Sequence, residues 1–143
     1  MTTIATAHAA ATASPSAIFE RWADVATWPQ WNADTEWVRL DGTFTQGGTG
    51  VLKPKGGPKV KFVIEKLTDT EFVDVSRLVG ARLTFSHVVT PTTDGCVIDV
   101  AIAMTGPLRW LWKRILGKGL AASVQPDLEA LARAAESGHT LAQ

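Results

Sequence analysis

One cysteine, Cys96, in 143 residues excludes an intramolecular disulfide and any cluster of thiolates around a metal. The three histidines, His8, His87 and His139, are scattered and form no His-x-x-x-His pair, so no imidazole metal site is expected either. Neither sign of charge is in excess: 14 basic residues balance 14 acidic ones. That argues against a nucleic-acid partner, which would call for a strong positive field. No apolar run approaches the ~18 residues that a membrane span needs. The start, Met1-Thr2-Thr3-Ile4-Ala5-Thr6-Ala7-His8, lacks the basic and leucine-rich parts of a signal peptide, and the cytoplasm is the expected compartment. Gly106 and Gly117-Lys118-Gly119 have the wrong spacing for a phosphate loop, with no Ser or Thr after the lysine. No Gly-x-Ser-x-Gly elbow occurs. No metal and no cofactor is therefore expected.

What is present is a folding chain. Hydrophobic residues make up 45% and charged residues 20%, enough for one sizeable core, so residues 1–143 are read as a single domain. The last third carries the strongest pattern. After Gly106-Pro107, a start signal with proline in the first turn, Leu108, Leu111, Ile115 and Leu116 recur at helical steps, and Leu128, Leu131 and Ala135 resume them. About thirty helical residues reach roughly 45 Å, which crosses a domain of this size. Pro126, with Gly117 and Gly119 upstream, predicts a kink or short break over 117–126.

The remainder reads mostly as strands. Residues 2–12 alternate small and polar groups. Ser14-Pro15 caps a helix to about Ala23 that buries Ile18, Phe19 and Trp22, and Thr27-Trp28-Pro29-Gln30-Trp31 makes a second short helical turn. From residue 35 the period changes to two. Strands are expected at 36–40, 50–53, 60–65, 72–77, 81–89 and 96–104, separated by short Gly, Pro and Asp turns. Short turns between successive strands predict a curved antiparallel sheet of about seven strands. The long helix is the one large element available to cover its apolar face. One helix cannot fill a wide curved sheet, and the leftover space is an apolar cavity where a small ligand can bind.

Three segments carry a family resemblance: the opening strand running into Ala13-Ser14-Pro15-Ser16-Ala17-Ile18-Phe19; the piece Trp22-Ala23-Asp24-Val25-Ala26-Thr27-Trp28-Pro29-Gln30-Trp31-Asn32; and Gly106-Pro107-Leu108 with the long helix. Together they resemble the START-like (SRPBCC, Bet v 1-like) helix-grip superfamily, and within it the polyketide cyclase/dehydrase and lipid-transport group. The resemblance implies an α+β helix-grip fold, with two short helices after strand 1 and a hydrophobic ligand held between sheet and C-terminal helix. It implies no single reaction, so no catalytic residue is carried over.

Candidate site residues follow from strand parity. In 81–89, Leu83, Phe85, His87 and Val89 share one face. If that face points inward, His87 aims into the cavity, where an imidazole can hydrogen-bond a ligand or act as general base; the alternative is a histidine satisfied by the protein itself. In 72–77, Val73, Val75 and Arg77 alternate with Phe72, Asp74 and Ser76, and either set can be the inner one. An inward Arg77 would hold a carboxylate or enolate oxygen, and an outward one would be a cross-strand partner. Asp99 is read as solvent-facing, which leaves Ile98, Val100, Ile102 and Met104 toward the core. The expected ligand-lining set is therefore Phe62, Leu83, Phe85 and His87, with Ile98, Val100 and Ile102, and Leu111 and Ile115 from the helix. Trp22, Trp28, Trp31 and Trp37 either pack the short helices against the sheet or place Trp28 or Trp31 at the pocket mouth; exposed tryptophans would favour a homodimer. Arg109, Trp110, Trp112, Lys113, Arg114 and Lys118 begin the long helix as a solvated face, a guide for an acidic ligand, or a contact with an anionic membrane. Three functions stay open: binding of a lipid- or polyketide-like molecule, a cyclase/aromatase/dehydratase using His87 or Arg77, and a peripheral lipid carrier.

Overall fold

A computed structural model describes residues 2–141. Seven strands form one antiparallel sheet: β1 (Thr2–Ala11), β2 (Thr35–Leu40), β3 (Thr49–Pro54), β4 (Val60–Leu67), β5 (Glu71–Leu78), β6 (Ala81–Thr92) and β7 (Gly95–Thr105). Their order is β1-β7-β6-β5-β4-β3-β2, so the first strand closes against the last and every other neighbour is a hairpin partner. Helices α1 (Pro15–Ala23) and α2 (Trp28–Trp31), joined by a 3-10 turn (Val25–Thr27), separate β1 from β2, and α3 (Arg109–Leu141) ends the chain. This is the helix-grip arrangement.

Local chemistry sets the elements. Ser14 caps α1, its Oγ accepting from the Ala17 N–H at 3.3 Å, and Pro15 opens the first turn. Ile18 and Trp22 are the buried face of that helix. The alanines of β1 are small for a reason: α3 lies along this strand, and Ala7, Ala9 and Ala11 are all buried. Side chains of α3 also finish the strand's free edge. The Gln125 amide donates to the His8 carbonyl at 2.8 Å and accepts from the His8 N–H at 3.0 Å, and Glu136 accepts from the Thr12 N–H at 2.8 Å. An edge satisfied in this way is closed to pairing with another chain.

The helix α3 runs unbroken from Arg109 to Leu141, through Pro126, so the break expected over 117–126 does not occur. Proline removes the N–H that would have met the Ala122 carbonyl. Ala122 and Pro126 are both exposed, and water can take that carbonyl instead. The packed stripe matches the expected one in its second half and departs from it in the first. Trp112, Leu120, Val124 and Leu128 continue into Leu131 and Ala135, and these are the side chains packed against the rest of the protein. Leu111 is half-buried, and Ile115 is 59% exposed. At about 100° per residue, Ile115 stands on the far side of the helix from Leu120 and Leu128.

Candidate functional site

Register decides which side chains reach the inner face. In the β5–β6 ladder Phe72 pairs with His87, Asp74 with Phe85 and Ser76 with Leu83. On the other side Ile64 pairs with Asp74 and Phe62 with Ser76. In the β6–β7 ladder Val100 pairs with His87, Ile102 with Phe85 and Met104 with Leu83. Phe62, Leu83, Phe85, His87, Ile98, Val100 and Ile102 therefore stand together on the inner face. Arg77 does not: it shares the outer face with Val73 and Val75 and is exposed. Of the two placements open for Arg77 the structure gives the outward one, opposite Arg82, so Arg77 does not reach the inner face as an anion holder. Ile115, exposed to solvent, lines no enclosed space and also leaves the expected set. The side chain of His139 lies outside the described residues.

The polar groups that do face inward are Asp74, Ser76 and His87, set among rings. The imidazole stacks on Phe72 at 4.9 Å between centroids with 13° between planes, and lies 4.9 Å from Trp22. Phe44, from the loop between β2 and β3, meets Phe72 at 5.2 Å, and Trp28 stacks on Phe62 at 6.2 Å. Gly50 makes room for that wall: a Cβ there would come within 2.6 Å of the Phe62 ring. Trp28 donates its indole N–H to the Trp22 carbonyl at 3.0 Å. The Trp31 indole N–H, also buried, has no partner among the described residues. Of the four clustered tryptophans, Trp22, Trp28 and Trp31 belong to the core, and Trp37 is half-buried beneath Arg39.

His87 Nδ1 lies 2.8 Å from the Phe72 carbonyl oxygen. A carbonyl only accepts, so Nδ1 carries the proton and donates it, and Nε2 is left as an acceptor. Burial lowers the histidine's pKa from 6.5 to about 4, against a smaller upward pull from that hydrogen bond, so the ring is neutral at physiological pH. Burial raises the Asp74 carboxyl from 3.8 to about 7, with its own backbone N–H pulling the other way. His87 Nδ1 and Asp74 Oδ1 are 4.0 Å apart. That separation exceeds a hydrogen bond, and both groups are held toward neutrality, so the two do not form an ion pair. The side chains are 14% and 11% exposed, so the pair is not fully sealed. What results is a carboxyl that takes or gives a proton near pH 7 beside an imidazole acceptor, within apolar walls. Asp74 was not singled out by the sequence because both parities of β5 contain buried apolar residues: Phe72 on one face, Val73 and Val75 on the other.

Two open clefts lie elsewhere. One, of about 490 Å³, is on the outer face around the 2.6 Å His8–Asp99 contact, with Thr6, Ser86, Val88 and Gln125. The other, of about 400 Å³, lies between the β5–β6 turn and the start of α3, with Arg77 and Arg82 on its wall. Neither touches Asp74 or His87. Cys96 is buried and its thiol pKa is raised by burial; among the described residues no group of His, Cys, Asp and Glu is placed to hold a metal. No described helix is long and apolar enough to cross a membrane.

Comparison with solved structures gives the same architecture at low identity. The di-domain ARO/CYC StfQ from the steffimycin biosynthetic pathway is similar over 97% of this chain, with TM-score 0.73 and 14% identity; this chain spans about half (52%) of that one. TTHA0849 from Thermus thermophilus matches over 94% of this chain and 97% of its own, with TM-score 0.72 and 15% identity. Norcoclaurine synthase from Thalictrum flavum, solved with dopamine and hydroxybenzaldehyde, matches over 90% of this chain and 83% of its own, with TM-score 0.65 and 14% identity. These likenesses show the fold. No curated protein matches the sequence significantly. The family model described as "Polyketide cyclase / dehydrase and lipid transport" matches residues 1–136, and the chain belongs to that family.

Proposed function

We propose that this protein binds a small hydrophobic or amphipathic molecule against the inner face of the sheet, with Asp74 and His87 meeting its polar group. The observation that carries this reading is the pair itself. A carboxyl and an imidazole are kept nearly dry among Phe72, Trp22 and Phe85, where burial works against the charged form of each. Such groups are poor core fillers and good anchors for a ligand hydroxyl or carbonyl: Asp74 donates when protonated, and His87 Nε2 accepts. Neither of these two clefts reaches the pair, and we take entry to follow the movement of a half-buried side chain. Phe44 is the natural one, since it sits on a loop and covers Phe72.

Native mass spectrometry of the purified protein, followed by organic extraction, tests the reading. One equivalent of a hydrophobic small molecule is the expected result, lost from the Asp74→Asn, His87→Gln double variant. A ligand retained undiminished by a folded double variant would remove the pair from the binding site. A second reading, proton-transfer catalysis of the cyclase or dehydratase type, is favoured by the carboxyl's pKa of about 7, the range in which a general acid–base works at neutral pH. In that case Asp74→Asn abolishes turnover while leaving ligand affinity within a few-fold. Equal loss of both would return Asp74 to binding alone.

A further inference from the structure

The first three turns of α3 present a face that the ligand site does not use. At about 100° per residue, Trp110, Leu111, Arg114, Ile115, Lys118 and Ala122 fall on one side of the helix. Trp110 is 62% and Ile115 59% exposed, Lys118 and Ala122 are exposed beside them, and Leu111 is half-buried. The opposite side is tied down. Trp112 donates its indole N–H to the Val79 carbonyl at 2.7 Å, and the Leu108 N–H donates to the Gly80 carbonyl at 2.8 Å. These bonds hold the β5–β6 turn against the helix start and bring Val79, 78% exposed, to the same end of the molecule.

Charge at this end is one-sided. Arg77, Arg82, Arg109, Lys113, Arg114 and Lys118 lie in the stretches 75–93 and 105–126, which contain no Asp or Glu, although the whole chain is neutral. None of the six forms a salt bridge among the described residues. Two placements work against folding. Arg77 and Arg82 are directly opposed across β5 and β6, where like charges repel. The basic residues of α3 crowd its N-terminal end, where no acidic residue sits in the first turn and the helix dipole disfavours cations. Uncompensated cations among exposed Trp, Ile and Val side chains complement a surface that is anionic outside and apolar beneath.

We infer that the N-terminal turns of α3, with the β5–β6 turn, form a docking face for an anionic lipid bilayer. The helix lies in the headgroup plane, Trp110 and Ile115 enter the acyl boundary, Arg114 and Lys118 on the same face meet lipid phosphates or carboxylates, and the other four cations add to the positive field of this end. A nucleic acid shares the charge complement but gives Trp110, Ile115 and Val79 no apolar layer to enter.

The test is co-sedimentation of the full chain with vesicles of phosphatidylcholine alone and of phosphatidylcholine with phosphatidylglycerol, at low and high salt. Pelleting is expected with the anionic vesicles and reduced at high salt. Arg114→Glu with Lys118→Glu should lower affinity by about 25-fold or more, since each cation near such a surface contributes roughly fivefold. Trp110→Ser with Ile115→Ser keeps every charge, replaces exposed side chains only, and should also weaken binding. Absence of pelleting at low salt would overturn the inference. So would a Trp110→Ser, Ile115→Ser variant that pellets as well as the parent, because single-stranded RNA or any polyanion would then serve equally.

Discussion

Replacing Asp74 by Asn should change stability by an amount that depends on pH, and the sign follows from burial. The folded protein holds the Asp74 proton up to about pH 7, whereas the unfolded chain releases it near 3.8. Between those values the folded state binds more protons, so this group's contribution falls as pH rises: it is harmless below about pH 4 and fully unfavourable above about pH 7. At 1.36 kcal/mol per pK unit, a rise from 3.8 to about 7 amounts to about 4 kcal/mol in all, of which about 3 kcal/mol develops between pH 4.5 and 7.5. Asparagine cannot ionise and does not carry this penalty. The unfolding free energy of Asp74→Asn minus that of the parent should therefore rise by about 3 kcal/mol from pH 4.5 to 7.5, whatever constant offset the amide introduces.

Urea unfolding at pH 4.5, 6 and 7.5 reads this difference directly, and titrations common to both proteins cancel. His87 does not confuse the result. Both shifts arise first from burial, and neither owes its direction to the other group's charge. A difference that stays constant with pH would mean that Asp74 ionises freely in the folded state, through water reaching the inner face, and the description of the site as a dry carboxyl would fall with it.

His87→Gln should show the opposite trend: its lowered pKa penalises the parent at acid pH, so the variant gains about 3 kcal/mol relative to the parent on going from pH 7.5 to 4, again by urea unfolding. Trp31→Phe removes a buried indole N–H with no partner among the described residues, which offsets part of what the smaller ring costs in the core, so thermal unfolding should show a loss below about 2 kcal/mol; a larger loss would count against an orphaned N–H. Gln125→Ala deletes both hydrogen bonds to His8 and should cost about 1–2 kcal/mol, with faster hydrogen exchange at the His8 amide; unchanged exchange would count against the edge-closing role. Gly80→Ala should cost about 1–3 kcal/mol in thermal unfolding, since residue 80 has φ +71° and an added Cβ would come within 2.6 Å of Leu108; a neutral result would place the start of α3 elsewhere.

Most of the fold was legible because its signals are local. Ser14-Pro15 marks a helix start, Asp94-Gly95 a turn, and the alternation in 81–89 and 96–104 places Leu83, His87, Ile98 and Ile102 on the inner face as found. Two features depend on long-range packing and were not legible. In the first half of α3 apolar residues lie on two sides, Leu111 and Ile115 on one and Trp112 and Leu120 on the other, and packing against β1 and α1 selects the second. In β5 both faces carry buried apolar side chains, so alternation gives no direction. The pairing of Phe72 with His87 settles it, and a register is a property of two strands, not of one.

That choice of face is what makes the site. With Arg77 inward, the inner wall would carry a permanent cation, suited to an anion and repelling nothing neutral. With Asp74 inward, the wall carries a group whose charge is set by what lies next to it. A ligand hydroxyl or carbonyl that accepts the Asp74 proton in a hydrogen bond holds the carboxyl neutral. A ligand cation drives it to the charged form and binds more tightly as pH rises. Affinity measured at pH 5.5 and 8.5 therefore separates ligand classes without knowledge of the pose: a hydrogen-bond acceptor weakens toward pH 8.5, whereas a cationic ligand that stays protonated over this range strengthens. Flat affinity for both, in a protein whose Asp74→Asn difference does vary with pH, would place the ligand away from Asp74.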